Sequence, residues 1–127
     1  MRLDHATGAD LLERLIDAYR RFDGDDVVAC LTRDVEVARD PFEPPLVGHE
    51  AVRRMLLEAA EVQEQVEFTV ERHWVVAPTI LAAWHAGYVH RATRARVRSA
   101  GFLTLDVTAD GLIDRARAWS VRRESTG

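Results

Sequence analysis

The sequence predicts an α+β fold in which three N-terminal helices cover one face of a curved, mainly antiparallel sheet. Three observations carry that expectation. Apolar residues recur at helical spacing up to about residue 62. The period falls to two beyond residue 65, and Pro78 and Gly111 then divide the remainder into strands. The element order reads α-α-β-α-β-β-β-β, a single domain over residues 1–127 with a loose arm at 1–6.

Thr7, with Asp10 three residues on, forms a variant capping box that starts the first helix near Gly8. Leu11, Leu12, Leu15, Ile16, Tyr19 and Phe22 make its apolar stripe, and Asp23-Gly24 ends it because glycine accepts the left-handed cap. Asp25 caps a short second helix carrying Val27, Val28, Cys30 and Leu31, followed by a short strand at 35–37. The third helix runs from Gly48 to about Val62, with Val52, Met55, Leu56 and Ala59 as its buried stripe.

Val66, Phe68 and Val70 then alternate with Glu67, Thr69 and Glu71, the pattern of a half-exposed strand. Pro78 marks a turn, and strands follow over 79–90, 94–107 and 112–122, the last two joined by Ala109-Asp110-Gly111. Each helix has one apolar stripe to bury, so all three must lie on the sheet. A sheet curled over helices leaves a concave hollow, which is where a ligand belongs in such an architecture.

The formal charge, 17 − 21 = −4, gives no overall attraction to nucleic acid. The arginines of the run 91–98 read as a solvated face, since no aromatic stacking platform accompanies them. Cys30 is the only cysteine, which excludes an internal disulfide and a cysteine-based metal cluster. The five histidines have no zinc-like spacing, so no metal is expected. The chain opens with no leader pattern, and its apolar runs fall well short of the ~20 residues a membrane helix needs. No membrane partner is therefore expected, and a reducing, cytoplasmic setting fits the single thiol.

The stretch at 34–54 holds the first candidate for chemistry. Asp40-Pro41 follows the short strand, Pro44-Pro45 braces the loop, and Gly48 opens a helix. A carboxylate facing an apolar hollow has its pKa raised toward neutrality, as a general base requires. The alternative is a solvated loop acid that pairs with Arg39 or caps the next turn. Tyr19 lies on the first helix's apolar stripe, so its phenol can donate to a substrate oxygen, or else to a backbone carbonyl in a plain core.

Strand parity sorts the remainder. Arg94, Arg96 and Arg98 share one face of their strand, opposite Ser99, Gly101, Leu103 and Leu105. Arg115, Arg117 and Trp119 share a face of the last strand, opposite Ala116, Ala118 and Ser120. Arginines avoid cores, so they mark the convex side, and Trp119 among them marks a dimer surface or a lone surface-packed ring. The small residues leave room inside. Trp84 and Tyr88, with Trp74, line the hollow if the Trp84 face points inward, and Phe42 either gates or fills it.

These residues resemble the ketosteroid isomerase-like branch of the nuclear transport factor 2-like (SnoaL-like) superfamily. The likeness rests on Gly24-Asp25, Asp40-Pro41-Phe42, Pro44-Pro45, Gly48-His49-Glu50, Asp110-Gly111-Leu112-Ile113 and Ala118-Trp119-Ser120, and it spans nearly the whole chain. The resemblance implies a cone-shaped fold, a deep apolar pocket, a dimer and no cofactor. It also implies that Asp40 is the base that moves a proton between two carbons of an enolisable ketone. The chain departs from the pattern where the family has an oxyanion hole, a site known for an aspartic acid kept neutral by apolar surroundings. Leu103 stands where that acid is expected, Leu56 replaces a supporting tyrosine, and Tyr19 lies about one turn beyond the expected phenol.

Two functions follow. One is a cofactor-free enzyme of ketosteroid isomerase type, acting on an apolar ketone or polyketide-like molecule with Asp40 as base, Tyr19 as donor, and Phe42, Leu56, Trp74, Trp84, Tyr88, Gly101, Leu103 and Ala116 around the substrate. The other is a non-catalytic module that holds a lipophilic ligand in the same hollow, or a partner on the sheet face.

Overall fold

The computed structural model describes residues 2–126. Three helices, α1 (His5–Arg20), α2 (Gly24–Val28) and α3 (His49–Val62), pack on six strands. The strands are β1 (Leu31–Ala38), β2 (Leu46–Val47), β3 (Gln63–Val76), β4 (Thr79–His90), β5 (Arg96–Val107) and β6 (Ile113–Ser125). They form one curved mixed sheet in the order β2-β1-β6-β5-β4-β3, the α+β cone expected from the sequence. From β3 to β6 the chain is an antiparallel meander, while β1 joins the far side of β6 in parallel and carries the two-residue β2 at the edge. Among the described residues no helix is long and apolar enough to cross a membrane.

The helix ends correct the reading of the sequence. Of the arm expected at 1–6, Met1 lies outside the described residues, Leu3 packs against the core, and His5 and Ala6 already belong to α1. The Asp4 carboxylate accepts the Thr7 N–H at 2.9 Å, so α1 begins at His5 and Thr7 sits inside it. At the other end Phe22, not Gly24, takes the left-handed conformation (φ 54°), with its ring against the core. That releases Asp23 to cap α2 by accepting the Asp26 N–H at 3.0 Å, a role expected of Asp25. Arg21 then joins Asp17, Asp23 and Asp26 at 3.0–3.1 Å and ties the two helices together.

The core fills the space between helices and sheet. Leu11, Leu12 and Ile16 of α1 and Val52, Met55 and Leu56 of α3 meet Val35, Ile80, Ala82, Leu105, Val107 and Ile113 of the strands. Strand parity sets which side chains join them. On β5, Arg96 and Arg98 are exposed while Val97, Leu105 and Val107 are buried. Arg94 adopts φ 61° in the turn before β5 and belongs to neither face of the strand.

A bulge decides the parity of β3. Phe68 and Val70 pair with Ala86 and Trp84 on the inner face, but the register shifts between Val70 and Arg72. Beyond it His73 and Val75 point inward, and Arg72 and Trp74 point outward. Trp74 therefore leaves the hollow, stacks on Phe102 at 6.3 Å and receives the Arg72 guanidinium at 4.9 Å.

Candidate ligand cavity

Between α1, α3 and the inner face of the sheet lies a cavity of about 300 Å3. Its size follows from small residues on β6. Ala116 and Ala118 face Leu105 and Leu103 across the β5–β6 ladder, so that wall projects little into the interior. The opposite wall is aromatic: Tyr19 lies 6.4 Å from Phe68, whose ring stacks on Trp84 at 5.1 Å. Leu15 and Ile16 of α1, Val37 of β1 and Met55 of α3 complete an apolar lining.

Few polar groups reach this space. Tyr19 does, and its hydroxyl makes no hydrogen bond among the described residues. Burial pushes the Tyr19 phenol above its ordinary pKa, and the positive charge of Arg39 opposes that rise. The phenol is thus a neutral donor throughout the physiological range. Arg39 and Ser120 add further donors to the lining, while Arg117 lays its guanidinium over Trp119 on the outer face. Trp84 Nε1 and Arg117 Nε are enclosed without a hydrogen-bond partner. Among the described residues no carboxylate or imidazole lines the cavity, and no three acidic, cysteine or histidine side chains converge as metal ligands.

The expected site residues divide into three groups. Tyr19, Trp84, Leu103 and Ala116 come together on the cavity wall. Two others lie nearby but do not line it. Tyr88 shares the inner face with Val97 beyond the cavity's end. Gly101 sits between Trp84 and Ser120 in the ladder, where a Cβ would lie 1.9 Å from the Trp119 carbonyl oxygen. The backbone of β6 closes on Gly101, so this glycine permits tight coiling of the sheet and contributes no open volume.

The third group is displaced. Leu56 is 1% exposed inside the core, because α3 turns Met55 toward the cavity in its place. Phe42 is 96% exposed and neither gates nor fills the hollow, and Trp74 faces outward through the β3 bulge. Asp40 is exposed as well, and its carboxylate accepts the Phe42 N–H at 2.8 Å in a local turn. It borders a separate outer depression with Glu36, Glu43, Arg115 and Trp119, outside the cavity that holds Tyr19 and Leu103. The apolar surroundings expected around this carboxylate are absent from its position.

Several lining residues escaped the sequence reading. Phe68 was legible from its alternation with Val66 and Val70, and Met55 from its place on the α3 stripe. Nothing in the sequence sets Arg39 apart, since its approach to Tyr19 depends on where β1 ends.

The fold recurs widely among solved structures. The chain superposes on the epoxide hydrolase/cyclase-like enzyme SalBIII, which acts in pyran ring formation in the polyether salinomycin, with a TM-score of 0.82 and 16% identity, covering 93% of each chain. A nuclear transport factor 2-like protein from Burkholderia xenovorans LB400 gives a TM-score of 0.75 at 16% identity, covering 94% of this chain and 93% of that one. A computationally designed 17-OHP binder gives 0.78 at 16% identity, covering 92% and 98%. No curated protein sequence matches the chain. The SnoaL-like domain, by contrast, matches over residues 12–116, nearly all of the helices and sheet that enclose the cavity, and the chain belongs to that family.

Proposed function

We propose that the cavity binds a small apolar molecule bearing a hydrogen-bond-accepting oxygen, of the ketone or polyketide-like class, with Tyr19 donating to that oxygen. One observation carries this reading: an unpartnered phenol set in an otherwise apolar, aromatic wall. The volume of about 300 Å3 lies at the lower end of small-molecule sites. The positive charge of Arg39 adds attraction for an oxygen that carries partial negative charge. The shared fold of SalBIII and of the designed 17-OHP binder supports a cavity suited to oxygenated apolar molecules.

Binding without proton transfer is the reading the geometry favours. Isomerase-type chemistry needs a base within hydrogen-bond reach of the substrate, about 3 Å or one water away. Asp40 is the residue the resemblance nominates, and Asp40 follows directly on Arg39 at the mouth. Its carboxylate nevertheless lies outside the cavity. The two readings separate in one experiment. Titration with 5-androstene-3,17-dione is expected to quench tryptophan fluorescence saturably, and Tyr19→Phe to weaken binding, while conjugated-enone absorbance stays flat. Enone formation by the wild type, lost in Asp40→Asn, would establish Asp40 as the base. Absence of saturable binding by any apolar ketone would remove the binding reading itself.

The outer sheet face around Arg115, Arg117 and Trp119 is further inferred to join two copies of the chain. Trp119 is 39% exposed beneath the Arg117 guanidinium, and Phe102, directly across the ladder, is 53% exposed. The buried thiol of Cys30 suits a reducing, cytoplasmic setting.

A further inference from the structure

The geometry points to an anion site on the outer face of the sheet, formed by arginines at the start of β5 and the end of β6, for a ligand that presents a phosphate group. A trough of about 560 Å3 there is lined by Arg96, Arg98 and Arg123, which share the outer parity, and by Arg122, whose parity on β6 is the inner one. It continues the outer face proposed to join two copies: Arg123 lies about 20 Å along β6 from Arg117, at the ~3.3 Å rise of a strand, while Val121 of its lining follows two positions after Trp119.

Four arginines elsewhere in the chain are neutralised by carboxylates, whereas those of the outer sheet face, Arg115 and Arg117 included, have no ion pair among the described residues. Arg21 is neutralised by three aspartates, Arg53 by Asp25 and Glu50, and Arg91 and Arg94 by Glu64. The side chains of Arg96, Arg98, Arg122 and Arg123 make no ion pair or hydrogen bond among the described residues. Glu67 is the one carboxylate on the trough's lining, and it pairs with none of them. This concentration of charge occurs in a chain whose formal charge is −4, so overall composition does not account for it.

The register makes the arrangement unfavourable without a counter-charge. Arg98 and Arg123 stand directly opposite each other on β5 and β6, where like charges repel at close range. On its other side Arg98 faces Gly87 of β4, which has no side chain to fill the gap, and Glu67 of β3 stands across Gly87 on the far side. A ladder position that opposes two guanidinium groups beside an open space suits an occupant with several negative oxygens. Guanidinium forks bind phosphate oxygens in pairs, and the planar donors here converge from two strands. Inorganic phosphate and a phosphate ester share this chemistry.

The test compares wild type with Arg98→Gln/Arg123→Gln and with the remote exposed variant Arg54→Gln, at constant ionic strength. In chloride buffer the double variant should melt no lower than the wild type, because it loses a repulsion. Inorganic phosphate should raise the wild-type melting temperature and bind saturably by calorimetry. The double variant should bind about tenfold more weakly, or worse, while Arg54→Gln matches the wild type. Adenosine 3′,5′-bisphosphate binding more tightly than phosphate assigns the trough to an ester, and equal binding assigns it to the free anion. Phosphate acting no more strongly than sulfate-free chloride, or equally on wild type and double variant, overturns the site. So does a melting temperature that rises with protein concentration through these arginines alone, which would make the trough a contact between copies.

Discussion

Tyr19 places a phenol in an apolar wall with no hydrogen-bond partner among the described residues, and that sets its behaviour. Removing the hydroxyl breaks no hydrogen bond among the described residues, so Tyr19→Phe should leave the unfolding free energy within about 0.5 kcal/mol of wild type. The same change should weaken an oxygenated ligand about three- to tenfold by fluorescence titration, the worth of one ordinary hydrogen bond. The pH dependence has a definite sign. The folded-state pKa of Tyr19 lies above its unfolded value of 10.0, so the unfolded chain releases this proton first. The contribution is complete below pH 10 and lost as pH rises through the folded value. Alkaline melting curves should therefore fall less steeply for Tyr19→Phe than for wild type between pH 10 and the folded value. Asp40 is the opposite case: its carboxylate serves a local turn that asparagine also makes, so Asp40→Asn should change neither ligand affinity nor stability.

The elements are fixed by a few local devices. Asp4 caps α1, and its hydrogen bond with Thr7 holds its carboxyl below the ordinary carboxylate range. Asp23 does the same for α2 through the Asp26 N–H. These depressed values mean that the stability both caps contribute is present above the unfolded carboxylate pKa of about 3.9 and is lost as pH falls through the folded values. Acid unfolding should begin at higher pH in Asp4→Ala, while Asp4→Asn retains the cap without its pH dependence. On β5 the device is Gly101, whose Cβ would overlap the Trp119 carbonyl. Backbone atoms cannot rotate away as a side chain can, so Gly101→Ala should cost about 3 kcal/mol or more in chemical denaturation, or prevent folding. The β3 bulge is a third device, and it sends Trp74 to the outside.

At the scale of the molecule, the sheet separates two surfaces. Its inner face, closed by α1 and α3, encloses the cavity lined by Tyr19. Its outer face carries Trp74, Phe102 and Trp119, with the last two directly opposed across β5 and β6. Such a band of aromatic rings is covered in stable assemblies. Sedimentation should show a dimer for the wild type and a shift toward monomer for Trp119→Glu. A monomer at all concentrations would leave the band as an ordinary exposed surface. Because Trp119 points away from the cavity, ligand binding at Tyr19 should survive that substitution within a few-fold.

The sequence by itself determined the cone. Its helical stripes, its change of period after residue 65 and its turn residues fixed three helices and a mainly antiparallel sheet. Parity placed Leu103, Ala116 and Ala118 on one side and Arg96, Arg98, Arg115 and Trp119 on the other. Those signals are local, and local spacing carries them. Only the tertiary structure decided the candidate site, because its members are set by long-range geometry. A one-residue bulge reversed Trp74, the turn of α3 exchanged Leu56 for Met55, and the end of β1 brought Arg39 to the mouth while carrying Asp40 past it. A strand that ends one residue sooner or later exchanges inside for outside, and no pattern within the strand records where its neighbours will stop.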